Sequence, residues 1–203
     1  MTSPQTTPRT SHAAPAGVLV RPARPEESAR VAWLAALTFP LACPAGTPVG
    51  TMAAHVAAHL TPAHFESWAA SDRHALLVAV EDAPGSSDVP LGYALLGSGE
   101  PDGEEEVEVL RSVAGPGPYV ELSKIYVHPH ALGSGVAARL MAGAVGAADG
   151  LGPVGAAPLW LGTNGENARA QAFYRKHGFE VVGSRTYDVG GVQHADVVML
   201  HRP

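Results

Sequence analysis

Residues 119–138, YVELSKIYVHPHALGSGVAA, limit the possible folds of this chain more than any other stretch. Val120, Leu122, Ile125, Tyr126 and Val127 place β-formers on both faces, as a strand buried in the middle of a sheet requires. Pro129 has no N–H to donate, so the ladder ends there. The loop His130, Ala131, Leu132, Gly133, Ser134, Gly135 follows, and then Val136, Ala137, Leu140, Met141, Ala144 and Val145 recur at helical spacing. A strand, a short glycine-bearing loop and a helix start aim several backbone N–H groups at one point, with the positive end of the helix dipole behind them. Such a point favours an anion, most often a phosphate. Gly133 and Gly135 could equally serve only a tight turn. No Gly-Lys-Ser/Thr follows, so this is not a Walker loop. A dinucleotide fingerprint needs a third glycine at position 138, where this chain has Ala, a substitution that is sometimes tolerated.

The loop, read as a polar residue, two variable residues, Gly, any residue, Gly, resembles the coenzyme A pyrophosphate loop of the GNAT N-acetyltransferase superfamily. His130 stands where that family usually has Arg or Gln. A second signature lies downstream: Trp160-Leu-Gly-Thr-Asn164, then Asn167-Ala-Arg-Ala-Gln-Ala-Phe173-Tyr174-Arg-Lys-His-Gly178-Phe179. This run is more specific than the loop, and the two occur in the family's order. The resemblance is sharp over 119–179 and only general elsewhere. It implies a mixed α/β fold: a largely antiparallel sheet of about seven strands with helices on both faces. It also implies acetyl-coenzyme A as co-substrate. The implied coenzyme contacts are Ile125, Tyr126 and Val127 on the strand; His130, Ala131, Leu132, Gly133, Ser134, Gly135 and Val136 at the loop; and Asn164, Asn167 and Phe173 downstream. Glu-Leu-Ser-Lys-Ile-Tyr-Val at 121–127, Trp-Leu-Gly before Asn167, and Thr38-Phe39 are loosely similar to the bacterial spermidine/spermine acetyltransferases.

Acetyl transfer from a thioester to an amine needs a base, a donor for the carbonyl oxygen and a proton for the departing thiolate. Glu121 sits in an otherwise apolar strand, where burial raises a carboxyl pKa toward a useful range. Its place six residues before Val127 matches, by resemblance, the catalytic Glu of the histone-modifying branch. Pairing with Lys124 or an arginine, or holding the acceptor as a counter-charge, is the plainer alternative. By family position the main-chain N–H of Val127 is the oxyanion donor, a role worth roughly 3 kcal/mol in a dry site. Tyr174 matches the family's general acid; a phenol of pKa near ~10 is protonated at neutral pH. Its alternative is a packing aromatic that only positions the sulfur. Asn167 is expected to cap its helix and, by resemblance, to bond the pantetheine arm. Imidazole titrates near ~6.5, so a His130 that touches pyrophosphate would weaken coenzyme binding as pH rises.

The remaining sequence sets the context. At 203 residues the chain suits one domain over 17–203, with residues 1–16 a Ser/Thr/Pro-rich disordered tail. A formal charge of −6 disfavours nucleic acid as a partner. Cys43, the lone cysteine, excludes an internal disulfide and suits a reducing cytosol. No span or leader is apolar enough to imply a membrane, so a cytoplasmic protein is expected. The expected order is a strand at 18–20; a helix from Pro25 stopped by Pro40; a loop over 40–50; helices at 52–60 and 62–70, the second capped by Thr61; and strands at 75–80 and 91–96 joined around Pro84-Gly85-Ser86-Ser87. After the central strand come a helix over 135–148, a strand at 159–162, a helix over 167–177 ended by Gly178, and a hairpin of 180–188 with 192–200 closed by Gly190-Gly191. Residues 99–117, rich in Glu, read as a solvated loop or hairpin extension, with an acidic lip for a cationic acceptor as the alternative. Val107, Val109 and Leu110 suggest some strand pairing there. His55 and His59 share a helical face, but no Cys or carboxylate completes a metal set with them, and no metal is expected; with His64 they are candidates to line the substrate cleft.

The expected activity is therefore acetyl transfer to a primary amine of a small molecule, a polyamine among the options, by direct attack in a ternary complex. A protein or peptide N-acetyltransferase and a non-catalytic coenzyme A sensor are the competing readings. Exposed sheet edges leave a homodimer open.

Overall fold

The computed structural model describes residues 17–44, 46–82, 89–152, 157–189 and 192–202. The expected tail, the turn at 84–87 and the Gly190-Gly191 closure lie outside them. In chain order the elements are β1 (Val18–Pro22), α1 (Ser28–Ala42), α2 (Val49–His59), α3 (Pro62–Ala69), β2 (His74–Glu81), β3 (Gly92–Gly99), α4 (Glu104–Ala114), β4 (Tyr119–Val127), α5 (Val136–Leu151), β5 (Leu159–Asn164), α6 (Ala168–Lys176), β6 (Phe179–Val189) and β7 (Val192–His201). The strands form one seven-stranded sheet in the order β1-β2-β3-β4-β5-β7-β6. All neighbours are antiparallel except β4 and β5. Among the described residues no helix is long and apolar enough to cross a membrane.

Helices cover both faces of the sheet. On one, Val136, Leu140, Met141, Ala144 and Ala148 of α5 pack on Leu77, Ala79, Ala94, Leu96, Val120 and Leu122. The approach is close enough that a Cβ on Gly92 would meet Leu140 Cδ1 at 2.8 Å. On the other face, Val31, Leu34 and Ala35 of α1 and Phe65 of α3 bury Leu76, Val78, Tyr93 and Leu95. A third cluster joins Leu110 of α4 to Tyr119, Trp160, Val198 and Leu200.

Two expectations fail. Pro40 does not stop α1, which continues to Ala42 with Pro40 inside its final turn. Cys43 is extended, at φ −66° and ψ 148°, because it precedes Pro44, whose ring disfavours the helical region for its neighbour. Residues 99–117 are not a loop or a strand extension but contain α4. Glu104, Glu105 and Glu106 occupy its first turn, where carboxylates oppose the helix dipole favourably. Val109, Leu110, Val113 and Ala114 form its apolar side. Glu106, expected in solvent, is buried and ion-paired to Arg185 at 2.7 Å. Smaller shifts are that α2 begins three residues early, at Val49, and that α5 runs on to Leu151. Thr61 caps α3 as expected, accepting from His64 N–H.

Candidate active site

Two parallel strands that separate create the opening. β4 and β5 are paired only at Val120–Leu159 and Glu121–Trp160. Beyond that point neither strand is in register with the other, while β4 stays on β3 through Val127. The His128 N–H donates to Leu91 O at 2.8 Å, which makes Val127–Gly92 a non-hydrogen-bonded pair. In an antiparallel ladder the N–H groups of such a residue point away from the partner strand. The Val127 N–H therefore faces the gap left by β5. A bulge contributes: Leu95 pairs with Lys124 and Leu96 with Leu122, so Ser123 is the extra residue.

The cradle lies at the end of that gap. Pro129–Ala131 form a single 3-10 turn, capped by His128, whose Nδ1 accepts from His130 N–H at 3.2 Å. Gly133 and Gly135 take φ of +80° and +86°, the left-handed region that favours glycine. A Cβ at either would meet nothing within 4 Å, so conformation rather than crowding selects them. Arg139 N–H to Gly135 O is the first bond of α5, which leaves the N–H groups of Val136, Ala137 and Ala138 ahead of the ladder. Ser134 Oγ is turned inward onto Ala131 O at 2.6 Å. The loop thus offers main-chain rather than hydroxyl donors. His130 is exposed, with its ring 4.9 Å from that of His128.

Across the gap, the β5–α6 connection is held by side chains. Asn164 Oδ1 accepts from Glu166 N–H at 2.8 Å, and Asn167 Oδ1 caps α6 through Ala170 N–H at 3.0 Å. Buried Gln171 ties the helix back to Gly165 O at 2.8 Å, a brace that the sequence reading missed. Phe173 and Tyr174 pack against the α5-side core together with Ile125, Val127, Ala131 and Val136. Burial pushes the Tyr174 phenol up to about 12. It therefore stays protonated throughout the working pH range.

Glu121 lies on the opposite face of the sheet. It lines a cleft of about 320 Å³ with Arg73, His74, Ser98, Glu100, Asp102 and Trp160. Its carboxyl is raised above the ordinary value, first by burial and further by Asp102 and Glu106, with Arg185 and Lys124 opposing. The expected pairing of Glu121 with Lys124 is not a direct bond: Lys124 Nζ hydrogen-bonds Ser123 Oγ at 3.1 Å. Arg185, which sequence reasoning did not single out, bridges Glu106 and Asp196 beneath Trp160. A concavity of about 670 Å³ beside α4 is larger; Asp102, Glu104 and Glu108 of the acidic run line it, but none of the expected catalytic or coenzyme-contacting residues does. Tyr126 points with Glu121's face rather than with Ile125 and Val127, stacked on Tyr93 at 5.6 Å. His55 stacks on Phe39 at 4.3 Å, and burial followed by the charges of His59 and Lys124 lowers its pKa. No group of three metal-ligating side chains occurs among the described residues.

The fold matches solved structures whose sequences are remote. An N-acetyltransferase named PaiA from Thermoplasma acidophilum, in complex with coenzyme A, superposes with a TM-score of 0.67 at 14% identity, over 92% of this chain and 99% of that one. Arabidopsis thaliana NAA60, in complex with a bisubstrate analogue, gives 0.66 at 16% identity, over 91% and 97%. These likenesses concern the fold. Sequence similarity is stronger to uncharacterized N-acetyltransferases of Mycobacterium tuberculosis and Mycobacterium bovis, which are 36% identical over 171 residues, 84% of this chain and 94% of theirs. Residues 52–179, which hold the cradle, the splayed strands and the Asn-to-Phe run, match the Acetyltransferase (GNAT) family. The chain belongs to that family of acetyltransferases.

Proposed function

We propose that this acetyl-coenzyme A-dependent N-acetyltransferase acylates the primary amine of a small molecule by direct attack in a ternary complex. The observation that carries the reading is the opening between β4 and β5, with the Val127 N–H facing it, a glycine cradle at one end and a Glu121-lined cleft on the other face. The amides of residues 133–138 hold the diphosphate, assisted by His130, and Asn164 and Asn167 border the pantetheine arm. Glu121 takes a proton from the acceptor ammonium, directly or through water. The amine nitrogen bonds to the thioester carbon, and the carbonyl oxygen, now anionic, accepts from Val127 N–H. The carbon–sulfur bond then breaks, the thiolate leaves toward the Tyr174 hydroxyl, and the surplus proton on the nitrogen passes through water to the sulfur, giving the acetamide and free coenzyme A. A phenol near 12 is a weak acid beside a thiol, so its principal contribution is a hydrogen bond to the developing sulfur anion.

A small acceptor is favoured by the cleft volume, at the low end of small-molecule sites. Direct transfer is favoured by Cys43, whose thiol is pushed up by burial and donates to Phe39 O at 3.4 Å, a poor nucleophile. Coenzyme A release should be measured across polyamines, amino acids, aminoglycosides and a peptide. Turnover confined to the peptide would overturn the small-molecule reading. Coenzyme binding with no turnover of any amine would overturn the catalytic one.

A further inference from the structure

The cleft at Glu121 is lined by charges of both signs. Glu100 and Asp102 line it together with Arg73 and with His74, whose imidazole is lowered by burial first and then by Arg73 and Lys124. Lys124 stands beside it on the same face of β4 as Glu121, separated from it only by the bulge. Its ammonium lies 5.2 Å from the centre of the Trp68 ring, so α3 shields it from solvent on one side. Its charge is felt by His55 of α2, by His74 of β2 and by Glu121 of β4. Lys124 is therefore at the junction of four elements and is half-buried. Its hydrogen bond goes to a neutral hydroxyl, Ser123 Oγ, and among the described residues no carboxylate ion-pairs with it. An ammonium has three donors, so this one keeps donors to spare. Burial pulls it below the ordinary lysine value, with Glu121 opposing, as for a charge that lacks a close counter-ion. A shielded cation without an anion is costly to fold around unless a ligand supplies the partner.

Building on the acceptor site proposed above, we infer that the acceptor carries a carboxylate as well as its amine, and that Lys124 binds the carboxylate while Glu121 faces the amine. Arg73 adds a second cation to the cleft, and Glu100 and Asp102 add carboxylates. The arrangement discriminates against diamines, because their second ammonium would face Lys124. Lys124 is a specificity residue in this scheme and takes no part in bond making.

The test is steady-state kinetics on matched triplets: an amino acid, its carboxamide and the diamine of the same chain length, over a series of lengths. Wild type should prefer the carboxylate member of at least one triplet. In Lys124→Met the KM for that acceptor should rise about ten- to a hundredfold, as for loss of a charged hydrogen bond, with kcat little changed. The carboxamide should be unaffected, and Lys124→Arg should restore part of the loss. Coenzyme A titration of each variant reports whether the fold is intact. Equal losses on carboxylate and carboxamide, or a wild-type preference for diamines that Lys124→Met leaves in place, would overturn the inference and spare the transferase reading. Absence of turnover with every triplet, despite coenzyme binding, would overturn the inference, and the transferase reading falls with it only if the wider panel of amines is inert as well.

Discussion

The loop at 130–136 and the cleft around Glu121, which the proposed reaction brings together, are built from different material. The loop is one contiguous segment whose working groups are main-chain amides, set by the φ of Gly133 and Gly135 and by the start of α5. The cleft is made of side chains from β2, β3, the segment before α4, β4 and β5. Its ionisable groups tune one another across that distance, with Arg185 and Lys124 stabilising the Glu121 carboxylate and Asp102 and Glu106 opposing them. A backbone site tolerates side-chain change and fails with conformation. A side-chain site does the reverse.

That contrast can be broken from either side. The largest effect is expected at Glu121→Gln: loss of a positioned base should lower kcat/KM about 10²–10⁴-fold while coenzyme A affinity stays put. The same variant should be more stable at neutral pH. The Glu121 carboxyl is raised in the folded state, so its ionised form opposes folding above the ordinary glutamate pKa of ~4.3. A melting curve should show a higher Tm at pH 7 and no gain near pH 4; a lower Tm at pH 7 would mean the carboxylate is paired. Tyr174→Phe comes next, with kcat down about 10²-fold if the hydroxyl meets the sulfur. Because that phenol titrates near 12, the wild-type rate should show no loss from it below pH 10. Gly135→Ala follows. Its left-handed φ of +86° would strain any side chain by about 1–2 kcal/mol, so coenzyme A affinity should fall about tenfold, with acceptor KM unmoved.

The smallest functional effect belongs to a region outside both. Glu27 accepts a bidentate pair from Arg21 at 2.7 Å and the Arg24 N–H at 2.9 Å, and the Arg21 hydrogen bonds bring its carboxyl down to about 2. A lowered carboxyl stabilises the fold above the ordinary value and loses that contribution as pH falls toward 2. Glu27→Gln should cost about 1–3 kcal/mol at pH 7, with unchanged kinetics, and the difference from wild type should close in acid. A gap that persists at pH 2 would contradict the ion-pair account.

The same contrast explains what could be read from the residues beforehand. β4, the cradle, the α6 cap at Asn167 and the terminal hairpin each rest on local signals: β-branched runs, paired glycines, an Asn before a helix. The Glu121 cleft is largely illegible in the sequence, because Arg73, His74, Glu100, Trp160 and Arg185 meet only in three dimensions. α4 was misread for a related reason. Three glutamates in sequence look like a solvated run, but the helix is stabilised by their place in its first turn, by Leu110 against Tyr119 and Trp160, and by Glu106 on the distant Arg185. Pro40 is tolerated because, this close to the end of α1, it forfeits only its own bond to the preceding turn.

The central claim is that coenzyme A is held by main-chain amides at the cradle and passes into the β4–β5 opening. Amide chemical-shift mapping on titration with coenzyme A and, separately, with pantetheine tests it most directly. Coenzyme A should shift the amides of residues 133–138 together with Val127. Pantetheine, which lacks the diphosphate, should move Val127 and spare the cradle. Shifts confined to the groove beside α4, or an unmoved 133–138 segment under saturating coenzyme A, would contradict the account.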